Sequence, residues 1–256
     1  MTRMVLTVGL AWMLAVPVVA GAADDEPAVS NRDQAAAMLR RFVGEVEGFD
    51  AYTAIMTKQQ RIEGELQPVE TLFMKHRRAP ECRYMKWLPG PEEGREIIFC
   101  AERYKGKIKF HQPGFFGWTM SLDPDGSFVK RSGNLRPPTE GGIFNLAERL
   151  QLGIEAQRSE AESDGDEPDV AISAITVHDA PARCLLPAGP PPDDGHAPYP
   201  IGKRELCFYD DNGLPAQIRM WHEDGRLMEH YSFRDFAVNP GLSDADFDVD
   251  NEDYDF

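Results

Sequence analysis

The strongest constraint in this chain is an alternation of period two that begins at residue 51 and, with one interruption, runs nearly to its end. Runs at 51–62, 68–78, 82–88, 95–104, 107–112 and 118–123 mix apolar with polar residues and are rich in Thr, Ile, Val, Phe, Tyr and Trp. Residues alternating in this way line the two faces of a strand. Glu63-Gly64, Pro89-Gly90-Pro91, Lys105-Gly106 and Asp123-Pro124-Asp125-Gly126 separate most of the runs and read as turns. Strands resume at 170–178, 203–210, 214–222 and 226–234, with hairpin signals at Asp211-Asn212-Gly213 and Glu223-Asp224-Gly225. The pattern predicts an antiparallel meander of about ten strands.

Two segments follow the helical period instead. Ser30 is a candidate cap with Asp33 three residues on, and Ala35, Met38, Leu39, Phe42, Val43 and Val46 form a stripe, which predicts a helix over 31–47. A second is expected over about 140–157, with Thr139 as cap and Ile143, Leu146, Ala147, Leu150 and Ile154 as its apolar face. A sheet with one apolar face must curl or be covered, and these helices are the available covers. The expected fold class is therefore mainly β with α (α+β): a curved antiparallel sheet, or unclosed β-barrel, covered by amphipathic helices. No linker has a full core on each side, so 23–256 reads as one domain carrying an acidic loop at 158–169 and a Pro-rich loop at 188–198.

Residues 1–22 read as a secretory signal: Met-Thr-Arg, an apolar run from Met4 to Ala20, then small residues. Cleavage is expected after Ala22, with Val18-Val19-Ala20 as the less favoured site. The run falls just short of the roughly 20 apolar residues that a spanning helix needs. No later segment could span a bilayer, so no stable transmembrane anchor is expected after cleavage. The expected location is the periplasm or cell envelope of a bacterium. With 27 basic and 43 acidic residues the formal charge is −16, a field that repels nucleic acid and anionic headgroups.

Export makes disulfides possible. Cys82, Cys100, Cys184 and Cys207 allow three connectivities, and their placement in neighbouring strands favours Cys82–Cys100 and Cys184–Cys207. A four-cysteine metal site is the rival, but no C-x-x-C spacing exists. A Cys82–Cys100 bridge would set Tyr84 and Lys86 on the cysteine face and Met85, Trp87, Ile97 and Phe99 on the other. Ile218 and Met220 likewise share a face.

The C-terminal run is distinctive: Gly213-Leu214-Pro215, Asp224-Gly225-Arg226-Leu227, Tyr231-Ser232-Phe233-Arg234-Asp235, and Asn239-Pro240-Gly241-Leu242-Ser243-Asp244-Ala245-Asp246-Phe247-Asp248. With Tyr52-Thr53-Ala54-Ile55-Met56-Thr57-Lys58-Gln59-Gln60-Arg61, Met85-Lys86-Trp87 and Gly94-Arg95-Glu96 upstream, it resembles the domain-of-unknown-function family 1571, a group of exported bacterial proteins. The resemblance covers about 50–123 and 200–250. That family is similar to the periplasmic lipoprotein-carrier (LolA/LolB-like) superfamily, which implies an unclosed antiparallel barrel wrapped around lid helices over a hydrophobic cavity. Superfamily members ferry or bind acylated or other lipidic ligands, but the family implies no settled activity. The acidic and Pro-rich loops depart from the generic pattern.

Catalytic signatures are missing from the sequence: there is no G-x-S-x-G elbow, P-loop, H-E-x-x-H or Rossmann fingerprint. No catalytic residue, metal or cofactor is expected. His222 and His230 could approach across a hairpin, although exposed strand histidines are the simpler reading. Asp244, Asp246, Asp248 and Asp250 invite a calcium reading, but an EF-hand needs Gly at Val249 and Glu at Asp255, so a solvated acidic end is expected. Gly114-Phe115-Phe116-Gly117-Trp118 suits a portal loop or a buried plug. The expected function is non-covalent binding or carriage of a lipid or acyl ligand between the sheet and the second helix, at roughly 0.8 kcal/mol per buried CH₂. Its expected lining is Met85, Trp87, Ile97, Phe99, Phe115, Phe116, Trp118, Leu146, Leu150, Ile218 and Met220. The alternative is a cell-envelope structural or interaction protein, its cavity filled by its own helices and its acidic surface docking a basic envelope protein partner.

Overall fold

The computed structural model describes residues 30–114, 118–127, 129, 134–160, 169–191 and 198–256, with the side chains of 153–160 left out. The signal segment 1–22, Phe115 and Phe116, and the greater part of the acidic and Pro-rich loops lie outside the described residues.

Helix α1 (Asn31–Glu47) opens at Ser30, whose hydroxyl accepts from the Asp33 N–H at 3.1 Å, as its local sequence predicts. Strands β1 (Ala51–Ile62), β2 (Glu65–Leu66), β3 (Glu70–Arg77), β4 (Cys82–Trp87), β5 (Glu96–Cys100), β6 (Ile108–Gln112) and β7 (Trp118–Leu122) follow. Helix α2 (Ile143–Glu160) interrupts them before β8 (Val170–Val177), β9 (Ala180–Pro187), β10 (Ile201–Tyr209), β11 (Pro215–His222) and β12 (Leu227–Val238). They form a 12-stranded antiparallel sheet in the order β7-β6-β5-β4-β3-β1-β12-β11-β10-β9-β8, with β2 attached to β1. Among the described residues the first and last strands of that path do not pair, so the barrel stays open.

Two strands beyond the sequence pattern appear. Strand β9 was hidden because its hairpin with β8 turns at His178 and Asp179, at φ 48° and 62°, without the glycine that usually marks such a turn. Prolines at 181 and 187 also argue locally against a strand. The second helix starts at Ile143, later than the expected start near 140.

Cross-strand register divides the side chains cleanly. Tyr52, Ala54, Leu72, Met74, Met85, Trp87, Ile97, Phe99, Leu206, Phe208, Ile218, Met220 and Phe233 face one way and join Phe42, Val43 and Val46 of α1 and Ile143, Phe144 and Ala147 of α2 in one core. This is the concave face. On the opposite, convex face Cys82 sits opposite Cys100 and Cys184 opposite Cys207, each pair joined as a disulfide. Smaller clusters surround each bridge, with Tyr84, Ile98 and Phe247 at one and Val177, Ala182 and Tyr209 at the other.

The acidic end is docked rather than a free solvated tail as the sequence suggests, although Asp244 stays 74% exposed. Its backbone folds back over the convex face with Phe247 fully buried and Tyr254 stacked on Tyr84 at 4.0 Å between centroids. Lys75 meets Asp246 and Arg77 meets Asp244, both at 2.7 Å, while Arg103 reaches Asp248 at 2.8 Å. The aspartates are spaced for these three cations rather than for a metal.

Candidate ligand-binding face

Six of the expected lining residues, Met85, Trp87, Ile97, Phe99, Ile218 and Met220, lie buried on the concave face, and Leu146 and Leu150 of α2 pack on the same core half-covered. Trp118 is different. It stands on edge strand β7, 42% exposed, with its ring 5.8 Å from that of Phe110. Phe110, Leu122, Leu146 and Leu150 together leave the apolar strip beside β6 and β7 only partly covered.

The way α2 is held explains its late start. Gly142 has φ +95°, and a Cβ there would lie 2.9 Å from both His76 Nδ1 and Tyr52 Oη, so only glycine fits. Its carbonyl accepts the first helical bond, from Leu146 N–H at 3.2 Å. The Ile143 N–H, which has no partner within the helix, donates to Tyr52 Oη at 3.2 Å. Arg83, buried on β4, donates to the carbonyls of Pro138 (2.9 Å) and Gly141 (2.8 Å) and to Asn145 Oδ1 (3.0 Å). The cap of α2 is therefore supplied by the sheet.

A histidine is locked beneath this anchor. Arg83 Nε donates to His76 Nε2 at 3.1 Å, so that nitrogen carries the lone pair and Nδ1 carries the proton, which points at Tyr52 Oη at 3.2 Å. Burial, then the Arg83 and Arg78 charges, push the His76 pKa well below its ordinary value. Burial likewise pushes the Tyr52 hydroxyl up to about 12.

The other end of the concave face, where β1, β3, β4 and β12 end together, is polar. Lys58 Nζ lies 3.2 Å from Glu70 Oε2 and donates to Asn134 Oδ1 at 2.5 Å, and Trp87 Nε1 donates to the same Glu70 carboxylate. Burial lowers the Lys58 pKa, with Glu70 opposing. Glu229, which has no exposed surface, accepts from Tyr199 (2.7 Å), Tyr231 (2.5 Å) and the Arg136 guanidinium (3.2 Å). Desolvation, then the Glu229 charge, raises both tyrosines. Apart from Trp87, none of these residues was among the expected site, although one signal was available: Lys58, Gln60 and Glu229 stand at positions whose strand neighbours Ala54, Met56 and Phe233 mark the inward face.

Segment 134–142 is thus a strap crossing the concave face, fastened at Asn134 and Arg136 to one end and at Pro138, Gly141 and Ile143 to the other. His222 and His230 are not brought together. The former is engaged with Asp224 and the latter with Gln217. Among the described residues the grouping with metal-ligand spacing is Cys184, Glu205 and Cys207, and its two sulfurs are joined to each other. No helix among the described residues is long and apolar enough to cross a membrane.

The described residues form an open antiparallel sheet with two helices over its concave face, a mainly β fold with α. The chain belongs to DUF1571, a family described as a protein of unknown function, which it matches over residues 49–256. Among curated proteins none matches. Solved structures similar in fold include MucB in complex with MucA(peri), at 14% identity and a TM-score of 0.45 over 84% of this chain and 59% of that one. The chain therefore spans about six-tenths of the length of that structure. Others are the lipoprotein LppX of Mycobacterium tuberculosis (10% identity, TM-score 0.46, 81% of this chain and 96% of that one). A LolA superfamily protein of Nitrosomonas europaea aligns at 13% identity and a TM-score of 0.38, over 84% of this chain and 98% of that one.

Proposed function

We propose that this is an exported envelope protein that binds a hydrophobic ligand, a lipid or an acyl group, non-covalently on the concave face of its half-barrel. The supporting observation is the nature of the cover. The apolar lane of Met85, Trp87, Ile97 and Phe99 is closed by the chain's own helices, and α2 is held by polar bonds at its first turn while Leu146 and Leu150 further along are only half-covered. Lifting α2 about that first turn would expose the lane, and an acyl chain would replace the helix stripe. About 0.8 kcal/mol per buried CH₂ drives retention. No catalytic chemistry is assigned. Residues 23–256 act as one unit in this reading, preceded by a cleaved signal segment 1–22.

A second reading, an interaction protein whose concave face stays filled, draws on the complete burial of Phe42, Ile143 and Tyr52 in the core. Intrinsic fluorescence separates the two. A brominated fatty acid added to delipidated protein should quench the Trp87 emission, and Trp87→Phe should remove that quenching. Quenching that is absent, or unchanged in the variant, favours the filled face.

A further inference from the structure

We infer that the ligand carries a cationic headgroup, an ammonium or guanidinium, seated on Glu229 at the place that Arg136 occupies when the strap is down. This rests on the reading of the concave face as the binding site. Lys58 and its partner Glu70 are both on sheet strands, so that pair stays neutral whether or not the strap is in place. Arg95 is likewise paired with Glu92 of the turn before its strand, at 2.5 Å.

Glu229 differs, because its cation, Arg136, comes from the strap itself. Movement of the strap removes that cation and leaves a fully buried carboxylate with two tyrosine hydroxyls on it. Breaking a buried pair by removing one partner is strongly unfavourable. Arg204, in register with Met220 on the adjoining strand, is not a free cation. A bound molecule that opens the strap must therefore bring its own positive charge to Glu229.

The position suits an amphiphile. Glu229 lies near the start of β12, at the rim of the sheet. The Arg136 guanidinium lies 3.9 Å from Met220 Sδ, at the boundary where the polar rim meets the apolar lane. Arg136 thus occupies the site of a headgroup whose tail would run inward over Met220 and Ile218.

The test is isothermal titration of the delipidated full chain with three probes of equal tail below their micelle concentrations: dodecylamine, dodecanoate and dodecanol. The expected result is dodecylamine at least tenfold tighter than the other two, with the preference lost in Glu229→Gln. Because the whole chain is acidic, a preference that survives in Glu229→Gln would overturn the inference as a general attraction of cations. Equal affinity for all three probes, or preference for dodecanoate, would overturn it while leaving the hydrophobic site intact. No binding of any probe would remove the underlying reading as well. Arg136→Met carries the test independently of how Glu229→Gln folds. It removes the internal competitor and should tighten dodecylamine about tenfold with no change for dodecanol, and weaker dodecylamine binding would contradict the proposal.

Discussion

The two faces of this sheet are both covered by the chain that forms them, and by opposite means. The concave cover is apolar, sealed by Ile143, Phe144 and Ala147, and oriented by a few deeply buried polar bonds from Tyr52 and Arg83. The convex cover is the acidic tail, pinned by buried Phe247, by Tyr254 stacked on Tyr84, and by a row of ion pairs that water partly reaches. Buried polar anchors cost heavily when broken but hold only the points they touch. Partly exposed ion pairs are individually weak and spread their hold along a segment. The difference marks the first turn of α2 as a pivot and the tail as a fixed plate.

The largest expected effect comes from removing the pivot. Arg83→Met would leave the Pro138 and Gly141 carbonyls and the His76 lone pair without their donor, at about 3–5 kcal/mol of stability by urea denaturation. Hydrogen exchange should then rise in α2 while the tail around Phe247 keeps its protection. Uniform loss across both covers would break the comparison, because it would make the sheet one cooperative unit with no separate lid. Gly142→Ala strikes the same point more gently. A methyl 2.9 Å from His76 and Tyr52, on a backbone at positive φ, should cost about 2 kcal/mol and speed exchange of the Ile143 amide.

These anchors explain which parts of the fold the sequence disclosed. Helix α1 was legible to the residue because its cap, Ser30, is next to it and its stripe is continuous. The start of α2 was not, because its capping oxygen belongs to Tyr52, 91 residues upstream. The face assignment of Met85, Trp87, Ile97 and Phe99 follows from strand parity alone. The rim cluster is assembled from β1, β3, the strap, Tyr199 and β12, and only the fold gathers those pieces at its two carboxylates, Glu70 and Glu229. The tail misled for a related reason: its aspartates look solvated until Lys75, Arg77 and Arg103 are found beneath them.

Acidification should separate the covers. The folded His76 pKa is depressed by burial, then by Arg83 and Arg78, whereas the unfolded histidine takes a proton near its ordinary value of about 6.5. The unfolded state then binds more protons, so stability present above that pH is lost as pH falls, approaching about 1.4 kcal/mol per unit. In the tail, burial works upward on Asp246 but the Lys75 ammonium and Ser243 hold it low, and the Arg103 guanidinium holds Asp248 low. Their contribution is present above the ordinary carboxylate range and lost only below it. Between pH 7 and 5 the lid should loosen while the tail holds. His230, also depressed by burial, adds to the same slope from the convex face, so the lid share is the part that His76→Asn removes. An unchanged slope in that variant would refute the assignment.

The smallest expected effect tests the tail. Asp246→Asn removes the charge facing Lys75 and leaves an amide able to keep part of the capping contact with Ser243, whose N–H donates to Asp246 at 2.8 Å. Phe247, fully buried next door, keeps its packing. The loss should be about 1 kcal/mol or less, and it should shrink as salt is raised from low to high concentration. In the parent chain the same salt increase should weaken the tail and leave α2 untouched, because the anchor of α2 is buried hydrogen bonding that mobile ions do not screen. If salt loosened α2 as much as the tail, the concave cover would be held electrostatically, and the pivot would lie at Arg136 and Glu229 rather than at Arg83 and Tyr52.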